Sequence, residues 1–197
     1  MSRQIKKNTR LVTVEELFEI NKGHKAHVVY DRPGLGTKRY LQIDNVRGRD
    51  ATQFTPDRTG TEVTPEDLVI VWDGANAGTV GYGLEGMIGS TLARLRPREN
   101  GTIHTAFLGR YLQSKFDLLN QNTTGSAIPH VNRVILEQMQ IPLPPLSEQK
   151  RIAAILDKAD AIRRKRAEAL TLTDTFLQSV FIDMFGDPVT NPKGWEM

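Results

Sequence analysis

The sequence predicts a mixed α/β globular domain over residues 1–146, one long α-helix over 147–186, and a short tail over 187–197. Three observations carry this. Short apolar runs separated by glycine turns recur through the first part. The prolines of Ile141-Pro142-Leu143-Pro144-Pro145 then impose an extended segment, because proline removes donors and pushes its predecessor out of the α region. Finally, no proline or glycine interrupts Ser147 to Phe185.

Taken in chain order, Arg39-Tyr40-Leu41-Gln42-Ile43 alternates with the period of a strand, and Leu68-Val69-Ile70-Val71-Trp72 is the continuous apolar run of a fully buried one. Further short strands are expected over Gly78–Gly83 and Ser90–Leu95. Phe107, Leu108, Tyr111, Leu112, Phe116 and Leu119 recur at three- and four-residue spacing, which predicts one amphipathic helix ending in the polar run Asn120–Ser126. The long helix should begin with Ser147 as N-cap and Glu148 just inside, and stop at Gly186 with Pro188 preventing resumption. Ile152, Ile155, Leu156, Ala159, Ile162, Ala169, Leu170, Thr173, Leu177, Val180, Phe181 and Met184 form its apolar stripe. Arg166 falls near the seam, so the coiled-coil pattern is imperfect. At 1.5 Å per residue the helix is roughly 57 Å long. The preceding residues cannot cover such a stripe, and a partner is expected.

Composition limits the function. Apolar residues are 39% and charged residues 25% of 197, enough for a packed core. The longest apolar run is five residues, far short of the ~20 that cross a bilayer. Met1–Lys7 is basic but leads into no apolar region, so secretion is not expected and a cytoplasmic protein is. With no cysteine, disulfides, thiolate metal sites and cysteine nucleophiles are excluded. The net charge of +3 is uneven: residues 1–60 carry twelve Lys and Arg against seven Asp and Glu, a footprint suited to a polyanion.

Catalytic patterns are weak. Glu148-Gln149-Lys150 has the E-x-K form of metal-dependent nucleases, but opens a helix and lacks a nearby strand aspartate. Asp73-Gly74-Ala75-Asn76-Ala77-Gly78 follows a strand without the Lys-Ser/Thr of a phosphate-binding loop, and reads as a tight structural turn. His24 and His27 lack an acidic third ligand and read as surface histidines. No catalytic activity and no metal site are expected. The most suggestive binding segment is Arg47-Gly48-Arg49-Asp50-Ala51-Thr52-Gln53-Phe54-Thr55-Pro56-Asp57-Arg58-Thr59-Gly60, read as a single polar loop. Arginine reads guanine edges and glutamine reads adenine, and both grip phosphate. With Lys38 and Arg39 flanking it, and Asn76 added from the turn after Leu68–Trp72, the candidate DNA-binding residues are Lys38, Arg39, Arg47, Arg49, Gln53, Arg58 and Asn76.

The stretch Gln140-Ile141-Pro142-Leu143-Pro144-Pro145-Leu146-Ser147-Glu148-Gln149-Lys150-Arg151-Ile152-Ala153-Ala154-Ile155-Leu156 closely resembles the junction in specificity subunits of type I restriction-modification systems, where a P-L-P-P-L-x-E-Q-x-x-I element joins a target recognition domain to a long helix. Tyr40–Val46 resembles that family's early strand, Asp67–Gly74 its central strand and turn, and Gly125–Asn132 the loop before the proline element. Family members usually carry two recognition domains and two helices, whereas this sequence holds one set. Phe185–Pro188 and Asn191–Glu196 resemble the lead-in to a second domain, so the expectation is a half-length subunit.

The resemblance implies a DNA-reading adaptor whose domain reads one half of a bipartite duplex target. Paired helices would hold two domains apart as an antiparallel coiled coil, here as a homodimer of half-subunits. Modification subunits would dock on that frame with S-adenosylmethionine, and the restriction subunit would bring ATP- and Mg-dependent translocation and cleavage. No cofactor is expected on this chain. The alternative is a coiled-coil interaction scaffold that never touches DNA.

Overall fold

A computed structural model describes residues 9–50, 52–99, 101–125, 127–187 and 190. The chain divides into two units, Met1–Ala153 and Ala154–Met197.

The first unit is built on two four-stranded sheets. One has β2 (Phe18–Lys22), β9 (Leu92–Pro97), β6 (Leu68–Val71) and β7 (Val80–Tyr82) in that order, all antiparallel. The other has the order β4 (Phe54–Thr55), β3 (Lys38–Leu41), β8 (Gly86–Ile88) and β5 (Glu62–Val63), with β3 parallel to β8. β1 (Arg10–Thr13) pairs with β10 (Gln140–Leu143), the extended segment that the prolines impose. Among the described residues, five helices complete the unit: α1 (Val14–Leu17), α2 (Ile43–Val46), α3 (Thr105–Gln113), α4 (Phe116–Gln121) and α5 (Arg133–Gln138). Among the described residues no helix is long and apolar enough to cross a membrane.

β6 explains why its sequence carries no polar alternation. Leu68 and Ile70 face a core shared with Phe107, Leu108, Leu112 and Leu119 of α3 and α4. Val69 and Val71 face a second core with Leu41, Val63 and Ile88 of the other sheet. A strand covered on both faces needs apolar side chains on both.

Several expected elements need correction. The strand expected over Arg39–Ile43 ends at Leu41. Ile43–Val46 turns into α2 because the Asn45 carboxamide accepts the Gln42 N–H at 2.7 Å, a local alternative to the strand ladder. The strands expected over Gly78–Gly83 and Ser90–Leu95 are Val80–Tyr82 and Leu92–Pro97, trimmed or shifted by flanking turns. The amphipathic helix is two helices. The Ser114 hydroxyl donates to the Tyr111 carbonyl at 2.6 Å where α3 ends, and the break lets Leu119 descend onto Gly78. A β-carbon at Gly78 would meet that of Leu119 at 2.8 Å, and φ there is +96°.

The long helix α6 runs Leu146–Phe185. Ser147 is therefore not its N-cap: Glu148 and Gln149 both donate their N–H to the Pro145 carbonyl, so the cap position falls on Pro145, two residues earlier. Its first two turns belong to the first unit, where Ala153 is buried and Ile152 packs against the core. Gly186 takes φ +82° and returns its N–H to Ile182, the stop that the glycine implied. In the second unit, Ile155, Leu156, Ala159, Ile162, Leu170, Leu177 and Phe181 of the stripe are exposed, and Val180 is half-buried. Leu172, Phe176 and Ile182 are exposed too and lie off that stripe. Pro188 and Asn191–Glu196 lie outside the described residues.

Candidate nucleic-acid interface

Strand directions bring several of the expected site residues to one end of the paired sheets. β3 and β8 run parallel, and β8 passes through Gly89 into β9; β2 and β6 both oppose β9. The C-terminal ends of β2, β3, β6 and β8 therefore coincide. Gly89 donates to the Leu41 carbonyl, Trp72 and Asp73 both donate to Thr91, and Lys22 pairs with Asp73 at 2.8 Å.

Arg47 and Arg49 follow α2 at this end. Their turn is held from inside. Arg47 and Arg49 donate their N–H groups to Asp44, and the buried Asn45 side chain donates to the Arg49 carbonyl at 3.2 Å. Gly48 adopts φ +88°, which an L side chain rarely does. Arg49 pairs with Asp44 at 3.3 Å, while Arg47 is exposed and forms no ion pair among the described residues. Gln53 is half-buried, its carbonyl oxygen accepting from the Gln42 amide at 3.2 Å. Tyr40, Gln42, Asn45, Arg49 and Gln53 line a cleft of about 520 Å³.

Asn76 belongs to the turn leaving β6. Its carbonyl accepts from both the N–H and the hydroxyl of Thr79, and the Asn120 amide clamps the Ala75 and Ala77 carbonyls. The tight structural turn is what the structure contains.

The segment Arg47–Gly60 is not one loop. Phe54 and Thr55 form β4, which pairs with Arg39 and Lys38, while Phe54 also exchanges both backbone hydrogen bonds with Tyr30. This strand separates the candidates. Arg47, Arg49, Gln53 and Asn76 share one end. Lys38 and Arg58 lie at the opposite end of β3, and the exposed Arg39 lies between. Lys38 pairs with Glu62 at 2.6 Å.

Other cations are committed to the fold. Arg96 grips the buried Asp67 through two nitrogens, at 2.9 and 2.8 Å, and this hydrogen bonding raises its pKa. Arg94 donates to Asn21 and the Glu62 carbonyl; burial, then Arg96 beside it, pushes its pKa down. His27 lies 3.4 Å from Asp57 and His24 approaches Thr61, so the two histidines do not converge. Among the described residues no group of three or more His, Asp or Glu is placed to hold a metal ion. Glu148 faces Arg151 at 2.6 Å, and that hydrogen bond lowers its pKa.

Sequence reasoning missed Gln42, Asn45 and Lys22. Asn45 had a signal in its type: a residue that bonds its own backbone argues for a turn at that point. Gln42 and Lys22 had none, since their partners, Gln53 and Asp73, are distant in the chain.

Residues 6–172 match the family model of the type I restriction modification DNA specificity domain. The chain is 33% identical over 158 residues to the type I restriction enzyme MjaVIII specificity subunit of Methanocaldococcus jannaschii, covering 80% of this chain and 37% of that protein. Among solved structures, it is similar to a chain from work on complex assembly and conformational transition of the type I R-M system, with TM-score 0.72, 24% identity, and coverage of 90% and 45%. It is also similar to the HsdS subunit from Thermoanaerobacter tengcongensis, with TM-score 0.64, 24% identity, and coverage of 91% and 45%. The chain thus spans less than half the length of each of these proteins, and the structural likenesses show the fold.

Proposed function

The chain belongs to the type I restriction-modification DNA specificity family, and from that premise we propose that it reads one half-site of a bipartite duplex target and catalyses nothing itself. One observation carries the reading. Arg47, Arg49 and Gln53 from one segment and Asn76 from the turn after β6 come off one end of the paired sheets on turns held by internal hydrogen bonds. Such rigid presentation suits side chains that must meet base edges. Lys38, Arg39 and Arg58 then serve as phosphate contacts, which position a duplex without reading it.

The exposed stripe of α6 from Ile155 to Phe181 supports a helical partner. A second copy, antiparallel in a coiled coil, would cover it and present two reading surfaces about a two-fold axis. Modification subunits dock on that frame and bring S-adenosylmethionine. The restriction subunit brings ATP and Mg chemistry, and the assembly works in the cytoplasm. The scaffold reading, without DNA contact, has no observation that favours it.

Selection of bound duplexes from a random pool, followed by binding assays on the chain, tests this. Replacing Arg47 and Arg49 by alanine should cost about 1–3 kcal/mol for each base-reading contact and relax preference at the bases concerned. Unchanged affinity and preference after both substitutions remove this end from the interface. An asymmetric selected target would overturn the homodimer.

A further inference from the structure

At the far end of β3 from the arginine turn, the chain holds an apolar side chain out into solvent. Leu35 is fully exposed, at the second position of the turn Gly34–Thr37. That turn is clamped twice. Thr37 donates its N–H to the Gly34 carbonyl at 3.1 Å, and its hydroxyl both accepts from the Gly34 N–H at 2.9 Å and donates to the Gly34 carbonyl at 2.8 Å. Gly36 supplies the positive φ of +75° that the third position requires. Turn tips are usually polar. Here a rigid turn carries leucine.

A single exposed leucine is unremarkable, but this one has company. Tyr30 is also exposed, and it lines one cleft with Leu35, Asp31, Arg32 and Pro56. The Arg58 guanidinium lies beside the turn: a β-carbon at Gly36 would meet it at 3.4 Å. Neither Arg32 nor Arg58 forms an ion pair among the described residues. The surface therefore combines a stiff apolar tip with two unpaired guanidinium groups against the single carboxylate of Asp31, a net positive charge. The charge suits a polyanion, and the apolar tip suits one whose interior is a stack of apolar faces. That describes a DNA duplex opened at a base step, where apolar side chains act as wedges and arginines hold the flanking backbone.

We propose that Leu35 is a wedge that enters the duplex at a base step, with Arg32 and Arg58 gripping the flanking phosphates. This rests on the DNA-reading function proposed above and adds to it a contact that distorts rather than reads. The wedge is a binding residue whose energy depends on how easily the step opens, so it would favour flexible pyrimidine–purine steps at positions that no side chain reads.

The test uses the full chain with duplexes recovered by selection, comparing wild type with Leu35→Ala and Leu35→Lys. Losing a leucine's buried surface should weaken the selected duplex roughly tenfold or more. The slope of affinity against salt should stay unchanged for Leu35→Ala, since no counterion-releasing group is lost. Duplex bending, read by energy transfer between end labels, should fall, while thermal stability should not change, because Leu35 packs on nothing. Leu35→Lys should lose the bend and steepen the salt slope. Equal affinity and equal bending of Leu35→Ala and wild type would overturn the wedge. So would a Leu35→Ala protein that binds DNA normally but no longer captures the modification subunit, which would make the tip a protein contact. If wild type itself recovers no duplex from the pool, the DNA-reading function fails first and the wedge with it.

Discussion

Strand β6 and the distal part of helix α6 carry the same kinds of side chain and meet opposite fates. Leu68, Val69, Ile70 and Val71 are each 0% exposed. On the helix, Ile162 is 68% exposed, Leu170 59%, Phe176 65% and Leu177 60%. The strand is central because its neighbours β7 and β9 and both cores come from the same chain. Among the described residues, neither core cluster includes a side chain of the helix after Ala153. Apolar content states what must be covered, and topology decides whether the chain itself can do it. At about 25 cal/mol per Å² of apolar surface, the second region is a standing drive toward association.

The largest effect should appear where the chain covers itself. Arg96→Ala leaves the Asp67 carboxylate, 1% exposed, without its cation. The expected cost is about 3–5 kcal/mol in urea denaturation, because an uncompensated buried charge is worse than no pair. Asp67→Ala should cost less, since the half-exposed Arg96 keeps its water, although Thr64 loses the acceptor for its N–H and hydroxyl. Equal costs for the two variants would mean that Asp67 is not isolated from solvent.

The distal helix should answer in the opposite way. Leu170→Lys with Leu177→Lys touches no core, so the unfolding midpoint of the first unit should not move. Self-association should weaken by about two orders of magnitude or more, from the lost burial of two leucines. Sedimentation across a concentration series checks this. A wild-type chain that stays monomeric at tens of micromolar, with its helicity intact, would show that another protein covers the stripe.

The same contrast governs what could be read from sequence. α6 and its stop at Gly186 were legible because they depend on local facts: no Pro or Gly inside, and glycine at the end. β6 was legible because double-sided burial leaves an unbroken apolar run. β4 was not, because two residues carry no period, and Phe54 becomes a strand only through Arg39 and Tyr30. That missed strand is why the arginine segment read as one loop, and why Lys38 and Arg58 were grouped with Arg47 and Arg49. The candidate residues were legible as types. Their division into two ends was not, because it follows from the parallel pairing of β3 with β8, which no local pattern encodes.

The smallest expected effect falls where the two regions share one helix. Gln149 lies in the second turn of α6, polar yet 1% exposed. Its carbonyl oxygen accepts the His104 N–H at 2.9 Å, and its amide donates to Pro144 at 2.9 Å and toward Thr102 at 3.5 Å. One side chain thus ties the proline segment, the entry to α3 and the start of α6. Neighbouring Glu148 instead faces Arg151 at the helix surface. The Glu-Gln pair therefore divides into a surface ion pair and a buried clamp, and only the clamp should matter to stability. Gln149→Ala leaves the His104 N–H and Pro144 carbonyl unsatisfied, so it should cost about 1–3 kcal/mol. Glu148→Ala should leave stability close to that of wild type, as exposed pairs do. Gln149→Glu separates hydrogen bonding from volume. It keeps the acceptor but, when ionised, loses the donor and buries a charge. Burial disfavours its ionised form, so the unfolded chain releases the proton first as pH rises, and stability should fall with rising pH above the ordinary glutamate range. Denaturation of the three variants at acidic and neutral pH decides it. A Gln149→Glu variant with the same pH profile as wild type would mean that water reaches the clamp and that the first turns of α6 are not fastened as described.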